Sequence, residues 1–482
     1  MRELRLVLSA SIMWAVAIIV RLGAPFGAVA LIIVISLLLA FNRQRGQLVL
    51  SAACGTAMLV VTLAREHFTA QGLAALPRQF PARLEAAPIQ TAHGGSLLQL
   101  KVNTIPEPLT MFTREPVLAQ DGTTPAVGSE LTISGEVTKT AGKSANLAKD
   151  TTISGDVISV EPPTGAYGLA AHVKDTFRQA VEASVTESSA GLIPAMVLGD
   201  KSLQTPQAEQ LYKDTGLAHL SAVSGANVAI IVSCALIMCT YLALSPRVSC
   251  ATALISLVVF ATIVGPEPSV LRAGVMGIVG VIALVNSRTM QPIHALCLAV
   301  MTVLAWRSDL ATNFGFALSV AATAGIVALF PLLYRVFASW PGMGKVPDLV
   351  VRAVAVAVAA DVVTLPIIAG MSGEVSLVAV LANVLVTFVV PVVTVVGLVA
   401  AIVALAPGGV ELILLKLIEP CTWWIHHVAE WLSSLPWAVV PSHPVTAMLA
   451  YGWVIAGIIA VARPRAYDVD HACCTPTHHL GR

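Results

Sequence analysis

The residues best equipped for chemistry crowd into one stretch, "DTGLAHLSAVSGANVAI" (residues 214–230). There Asp214, Thr215, His219, Ser221, Ser224 and Asn227 stand at the head of an apolar run. Ser224, followed by Gly225, and His219 have the residue types of a nucleophile and its base. A Ser–His pair must close to about 3 Å, whereas an offset of five residues on one helix turns the two side chains to different faces. Catalysis by this pair is therefore not expected. No HExxH occurs, which excludes that class of zinc protease, and no GxxxxGK[ST] occurs, so an ATP-driven motor must be a separate chain. Cys473 and Cys474 with His471, His478 and His479 could chelate a metal, but their spacing fits no zinc pattern. A disordered tail is expected there, and no catalytic residue, metal or cofactor is assigned.

Further polar residues interrupt apolar runs: Arg272, His294, Asp361, Glu374 and Asn383. A charge at the centre of a membrane helix costs at least a few kcal/mol, so such groups turn toward a bundle interior or a watery path. Two readings stay open. They line a hydrophilic conduit, or they are polar glue between helices, with Arg272 and Asp361 able to pair.

The elements that must position these groups follow from composition. Of 482 residues, 56% are hydrophobic and 11% charged, against roughly 25% charged in a soluble domain. The fold class is a polytopic α-helical membrane protein. The net charge of +1 points to no acidic or basic partner, and six of the eight cysteines lie in apolar runs, so no disulfide framework is expected. A membrane helix needs about 20 mostly apolar residues. Candidate spans cover 5–21, 25–41, 47–64, 219–242, 248–264, 269–286, 291–306, 313–337, 350–369, 375–404, 413–434 and 446–462, which predicts about 11–12 transmembrane helices. The first reads as an uncleaved span rather than a signal peptide. Pro391 is expected to bend or break the 375–404 run, and the Trp- and His-rich 413–434 run could lie in the interface.

Between the third and fourth spans the texture changes. Short alternating stretches such as "LLQLKVNTI", "ELTISGEVT" and "TTISGDVISV", separated by turn residues, predict a small β domain. Val173, Phe177, Val181 and Val185, four apart, predict an amphipathic helix over 169–187, and 189–218 is expected at the membrane surface. The resulting domains are 1–65 (amino-terminal helices), 66–165 (β domain), 166–218 (membrane-surface segment), 219–463 (helical core) and 464–482 (tail). Basic residues near helix ends, Arg2, Arg5, Arg43, Arg45, Arg247, Arg288, Arg335, Lys345, Arg463 and Arg465, place both termini in the cytoplasm and the β domain outside. Arg21 and Arg307 dissent.

In its wider setting the polar stretch resembles the signature of the ComEC/Rec2 family of competence channel proteins. The matching elements are Leu198-Gly199-Asp200, Gly216 to Leu220, Val223-Ser224-Gly225, then "PSVLRAGVMG" (268–277), "NFGFALSVAATAGI" (313–326), Leu365-Pro366 and Ala382-Asn383, in the family's order over about 190–400. The resemblance implies passage of single-stranded DNA across the cytoplasmic membrane, an OB-like β domain after the third helix, and no enzymatic activity. Asp200, His219, Ser224, Asn227, Arg272, Asp361 and Asn383 would border the DNA path, with Gly199, Gly216, Gly225 and Gly315 as structural glycines; the alternative is that Asp200, His219, Ser224 and Asn227 only cap and tether the first helix of the core. Implied partners are competence DNA-receptor and pilus-type uptake proteins outside, and an ATP-dependent DNA translocase or single-strand-binding proteins inside. Membrane lipid and a second copy in a homodimer complete the expected partners.

Two departures stand out. The family often carries a His two residues after the Ser-Gly pair, where this chain has Asn227. The metallo-β-lactamase-like domain of many members has no counterpart motif here, so nuclease activity of that type is not expected. The β domain suits a polyanion poorly. Over 85–165 it carries five basic residues against nine acidic ones, with Phe112 its only aromatic. Lys139, Lys143 and Lys149 form its only basic cluster, a DNA contact or a solvated loop. The alternative function is a secondary transporter of a small polar solute, which broken helices and mid-membrane charges also suit. A divergent intramembrane hydrolase built on Ser224 is a third.

Overall fold

A computed structural model describes residues 5–90, 95–119, 122, 124–138, 152–285, 291–340 and 345–462. Lys139, Lys143, Lys149, Arg288 and the Cys/His tail lie outside the described residues.

The apolar runs form helices. Three open the chain: α1 (Arg5–Arg21), α2 (Pro25–Phe41) and α3 (Arg45–Ala74). The third runs ten residues past its expected end and stops just before the β domain. Later come α8 (Gly225–Tyr241), α9 (Pro246–Val264), α10 (Pro268–Val285), α11 (Pro292–Trp306), α12 (Phe314–Ala338) and α13 (Asp348–Ser372). Among the described residues, α3, α9, α12 and α13 are long and apolar enough to cross a membrane. A fifth span exists if α14 (Ala379–Val386) and α15 (Val390–Val403), bent by 53° at their break, are one unit. That break falls beside Pro391, whose ring and missing N–H oppose a continuous helix. Shorter apolar helices of 10–17 residues accompany them.

The β domain is a small closed barrel: β1 (Gln79–Leu84), β3 (Ser96–Lys101), β4 (Leu109–Phe112), β5 (Glu130–Thr138) and β6 (Thr152–Glu161), with the short β2 (Ile89–Gln90) outside the ring. The order β1-β5-β6-β4-β3 closes through a β1–β3 pair that sets Leu84 opposite Leu100. Only β4 and β6 run parallel among these pairings. Alternation buries Phe80, Leu84, Leu98, Leu100, Leu131 and Ile133 together, as period-two patterning requires. Closure removes the unpaired edges that invite aggregation.

The barrel is bolted to the helices by ions. Arg21, at the end of α1, lies 2.7 Å from Glu107 of the barrel, each side chain only 10% exposed. Arg307, just after α11, donates from Nη1 to Glu85 at 2.9 Å and from Nε and Nη2 to Asp309 at 2.9 and 2.8 Å. The Ser308 hydroxyl adds a bond to Glu107 at 3.2 Å. Burial pushes the Lys101 ammonium below its ordinary value. The two arginines that dissented from the charge bias are thus the barrel's anchors, paired rather than free.

The remaining elements wrap the helical core. The amphipathic helix is α4 (Gly165–Ser184), which buries Ala170, Val173, Phe177 and Val181. It is followed by α5 (Glu187–Ala190), α6 (Leu192–Leu198) and α7 (Pro206–Asp214). All seven residues of α6 are buried within the protein. It packs with α4, α15 and α16 (Val410–Ser433), where a Cβ on Gly397 would lie 2.5 Å from Val197. On α16, Leu415, Ile418, Ile425 and Leu432 are buried while Trp423, Trp424 and Trp431 are exposed. A two-stranded pair, β7 (Glu374–Ser376) with β8 (Val439–Pro441), and α17 (Pro444–Ala462) complete the chain's described part. The described cysteines are free.

Candidate functional site: helix ends around a buried arginine

Three interruptions of helix meet around the polar stretch. The first is the end of α6. Gly199 takes φ +70°, a left-handed conformation that favours glycine. The turn is closed by Gly199 N–H to Ala195 O and Asp200 N–H to Pro194 O. Asp200 turns its carboxylate onto the Ser202 amide at 3.0 Å, so it shapes this turn. The second is the start of α8. Asn227, 4% exposed, donates to Met196 O at the end of α6 at 2.7 Å and accepts from the Ser224 hydroxyl at 3.1 Å. The third is the start of α14, reached through Gly216, which takes φ +71° and where an added Cβ would collide with Ala379.

His219 lies in a short 3-10 turn (Ala218–Ser221), exposed, with Nδ1 3.2 Å from Gly216 O. Ser224 is bonded to Asn227, so no Ser224–His219 bond forms among the described residues, and the geometry does not assemble a nucleophile with its base. Asn383 donates to Ala379 O within its own turn. Gly315 is exposed in the first turn of α12, beside Asn313, whose side chain caps Phe316 N–H at 3.0 Å.

Arg272 stands directly beneath the start of α8. It is 7% exposed. Its Nε donates to the Ser319 hydroxyl at 2.9 Å and its Nη1 to Met276 Sδ at 3.3 Å. Nη2 faces Gly225 so closely that a Cβ there would lie 2.8 Å from it. The pairing of Arg272 with Asp361 does not form: Arg272 turns to Ser319 on α12, while Asp361 sits half-buried on α13.

Two further clusters bring in residues that were not singled out from sequence. Lys174 of α4 donates to Val264 O at 3.0 Å, at the end of α9. Burial pushes its ammonium down, opposed by the nearby carboxylates of Asp200 and Glu267. Burial likewise pushes the Glu267 carboxyl up, opposed by Lys201 and Lys174. These alternating charges ring the end of α6. Glu267 directly precedes the Pro-Ser motif and could have been found there. The second cluster joins residues 214 apart: Tyr212 OH lies 3.2 Å from His426 Nδ1, and His426 Nε2 lies 3.3 Å from Glu430. Burial, with Glu430 nearby, pushes the Tyr212 phenol up. The chain flanks a cavity of about 470 Å³ that Glu187, Gln204 and Leu211 also line. No local sequence pattern links such distant positions.

No curated protein and no solved structure matches this chain. A family model described as "Competence protein" matches residues 196–465, more than half of the chain. That range contains the end of α6, the start of α8, Arg272 and the α14–α15 break, and together with the apolar helices it makes this a membrane-embedded protein. The chain belongs to the competence protein family.

Proposed function

We propose that this protein is the conduit through which single-stranded DNA crosses the cytoplasmic membrane during natural transformation, and that it is not an enzyme. The observation that carries the reading is the meeting of helix ends at Gly199, Ser224 and Ala379 inside an otherwise helical core. Irregular backbone at membrane depth is tolerated only where protein or a water-filled cavity surrounds it. Within a family tied to DNA uptake, such a place is where a polar polymer finds hydrogen-bond partners on its way through. The bonded state of Ser224, away from His219, supports transport over hydrolysis.

In this reading the full complement is 11–12 spans with both termini cytoplasmic, and the barrel stands outside. Its closed five-strand ring with one parallel pair supports an OB-like domain. DNA is delivered by a receptor and pilus-type apparatus and drawn inward by an ATP-dependent translocase or single-strand-binding proteins. The barrel's acidic balance makes the helical core the principal holder of the strand.

The test is transfer of labelled DNA into a DNase-protected compartment. A deletion strain is compared with strains complemented by the wild-type chain and by His219→Ala, an exposed position whose ring contacts only its own turn. Loss of protection on deletion, restored by the wild-type chain, is the expected result. Unchanged protection on deletion under proven competence conditions overturns the reading and favours small-solute transport, which the broken helix also suits.

A further inference from the structure

The start of α8 meets a cation that has no anion among the described residues. Arg272 is more than nine-tenths buried, yet no carboxylate among the described residues lies within salt-bridge distance of it. Two of its nitrogens are held by neutral partners, the Ser319 hydroxyl and the Met276 sulfur. The third, Nη2, points at Gly225. Gly225 opens α8, a 17-residue helix whose first turn has no side-chain cap, because the Ser224 hydroxyl is spent on Asn227. A helix N-terminus carries about half a positive charge on its unpaired amides. Here the Asn227 amide is bonded to Ser224 O, and the Gly225 end of the helix faces a guanidinium with no carboxylate between them among the described residues.

Two positive sources of this kind repel and are costly to desolvate. The surrounding packing nevertheless enforces the approach. Gly225 leaves room that any Cβ would fill, and Asn227 locks the first turn of α8 to Met196. A preorganised pair of this type has one complementary guest, an oxyanion that accepts from the guanidinium and the amides together. We propose that Arg272 Nη2 and the Gly225 and Ala226 amides at the start of α8 form a seat for a phosphate-type oxyanion. Its working occupant, resting on the DNA-conduit reading, is a phosphodiester of the passing strand. The seat contacts no base, so it accepts any sequence, and each phosphate in turn occupies and leaves it.

The experiment uses the full chain in lipid nanodiscs, with fluorescence-detected binding of three probes of equal length. These are an oligo-dT strand, an abasic deoxyribose-phosphate strand, and an uncharged peptide nucleic acid. Inorganic pyrophosphate serves as competitor. The variants are Arg272→Gln, Arg272→Lys and Ser319→Ala, each compared with wild type at matched elution volume and melting temperature. The expected result is similar binding of the oligo-dT and abasic strands, none of the peptide nucleic acid, and competition by pyrophosphate. Arg272→Gln should weaken both strands about tenfold or more, as expected for a hydrogen bond to a charged group. It should also flatten the salt dependence by about one unit of slope. Arg272→Lys keeps the charge and should recover part of the loss, and Ser319→Ala should cost less than Arg272→Gln.

Wild-type binding and salt slope in a well-folded Arg272→Gln protein overturn the proposal, as does equal binding of the peptide nucleic acid. Failure of the underlying reading looks different. If pyrophosphate binding depends on Arg272 while the deletion strain still takes up DNA, the seat stands and the conduit assignment falls.

Discussion

Removing Arg307 should loosen the barrel from the helices, and the geometry sets the size of the effect. Its guanidinium holds two carboxylates, Glu85 on the barrel side and Asp309 on the helix side, through nitrogens 2.8–2.9 Å from their oxygens. Exposed ion pairs are worth about 0–1 kcal/mol, whereas breaking a buried pair costs about 3–5 kcal/mol because a charge is stranded. The three side chains are only 15%, 19% and 15% exposed, so Arg307→Ala should cost about 2–4 kcal/mol of docking free energy. That is roughly a 30- to 1,000-fold rise in the undocked population.

Hydrogen exchange reports that population directly, since amides protected by a local contact exchange through its opening. Peptides covering 102–109 and 307–312 should exchange faster in the variant, while the barrel-core strands β3 and β5 stay protected. Arg307→Lys should fall between, because one ammonium cannot fork onto two carboxylates. The triple change Arg307→Met, Glu85→Leu and Asp309→Leu should restore most protection, since no charge is left stranded. Wild-type exchange at both peptides in Arg307→Ala would refute the ion-bolted barrel.

Other changes probe the remaining contacts. Gly216→Ala combines a left-handed residue, costing about 1–2 kcal/mol, with a clash against Ala379; a lower melting temperature and loss of DNA uptake are expected together. Asn227→Leu should cost about 1–3 kcal/mol by orphaning Met196 O, read as a drop in melting temperature that Asn227→His largely avoids. Tyr212→Phe removes the bond to His426 and should cost about 1 kcal/mol in thermal unfolding, with no added loss when combined with His426→Ala.

Much of the scaffold was legible because its signals are local. The spans 5–21 and 25–41 coincide with α1 and α2, since an apolar run bounded by Arg21 and Pro25 states both length and ends. Alternation in "ELTISGEVT" announced β5, and the fourfold spacing of Val173, Phe177 and Val181 gave the buried face of α4. Pro391 gave the break. What stayed hidden depends on contacts far apart in sequence. A short helix buried on every side, such as α6, has the same composition as one buried on a single face, so its full burial was not legible. Arg21 and Arg307 looked like topology errors because their partners, Glu107 and Glu85, lie in another domain. Among the site residues, motif order located Arg272, Asn227 and Gly216. It could not say that Asn227 is a tether, that Asp200 closes a turn, or that Arg272 would pass over Asp361 for Ser319.

The substitution at 227 then separates two jobs that a single motif had left merged. What the fold asks of that position is one donor, aimed at Met196 O, and one acceptor, facing the Ser224 hydroxyl. An asparagine amide supplies both, and so does a neutral imidazole, which carries one N–H and one bare nitrogen. Neither requirement involves taking up a proton or a metal. Asparagine at a position where the family often has histidine therefore costs the α6–α8 joint nothing, provided the imidazole's role there is hydrogen bonding. Charge at the same joint comes from a different residue, Arg272, on the opposite side of Gly225. A joint whose alignment and charge reside in separate side chains can change one without disturbing the other, and that is why the loss of imidazole at 227 leaves the conduit reading intact.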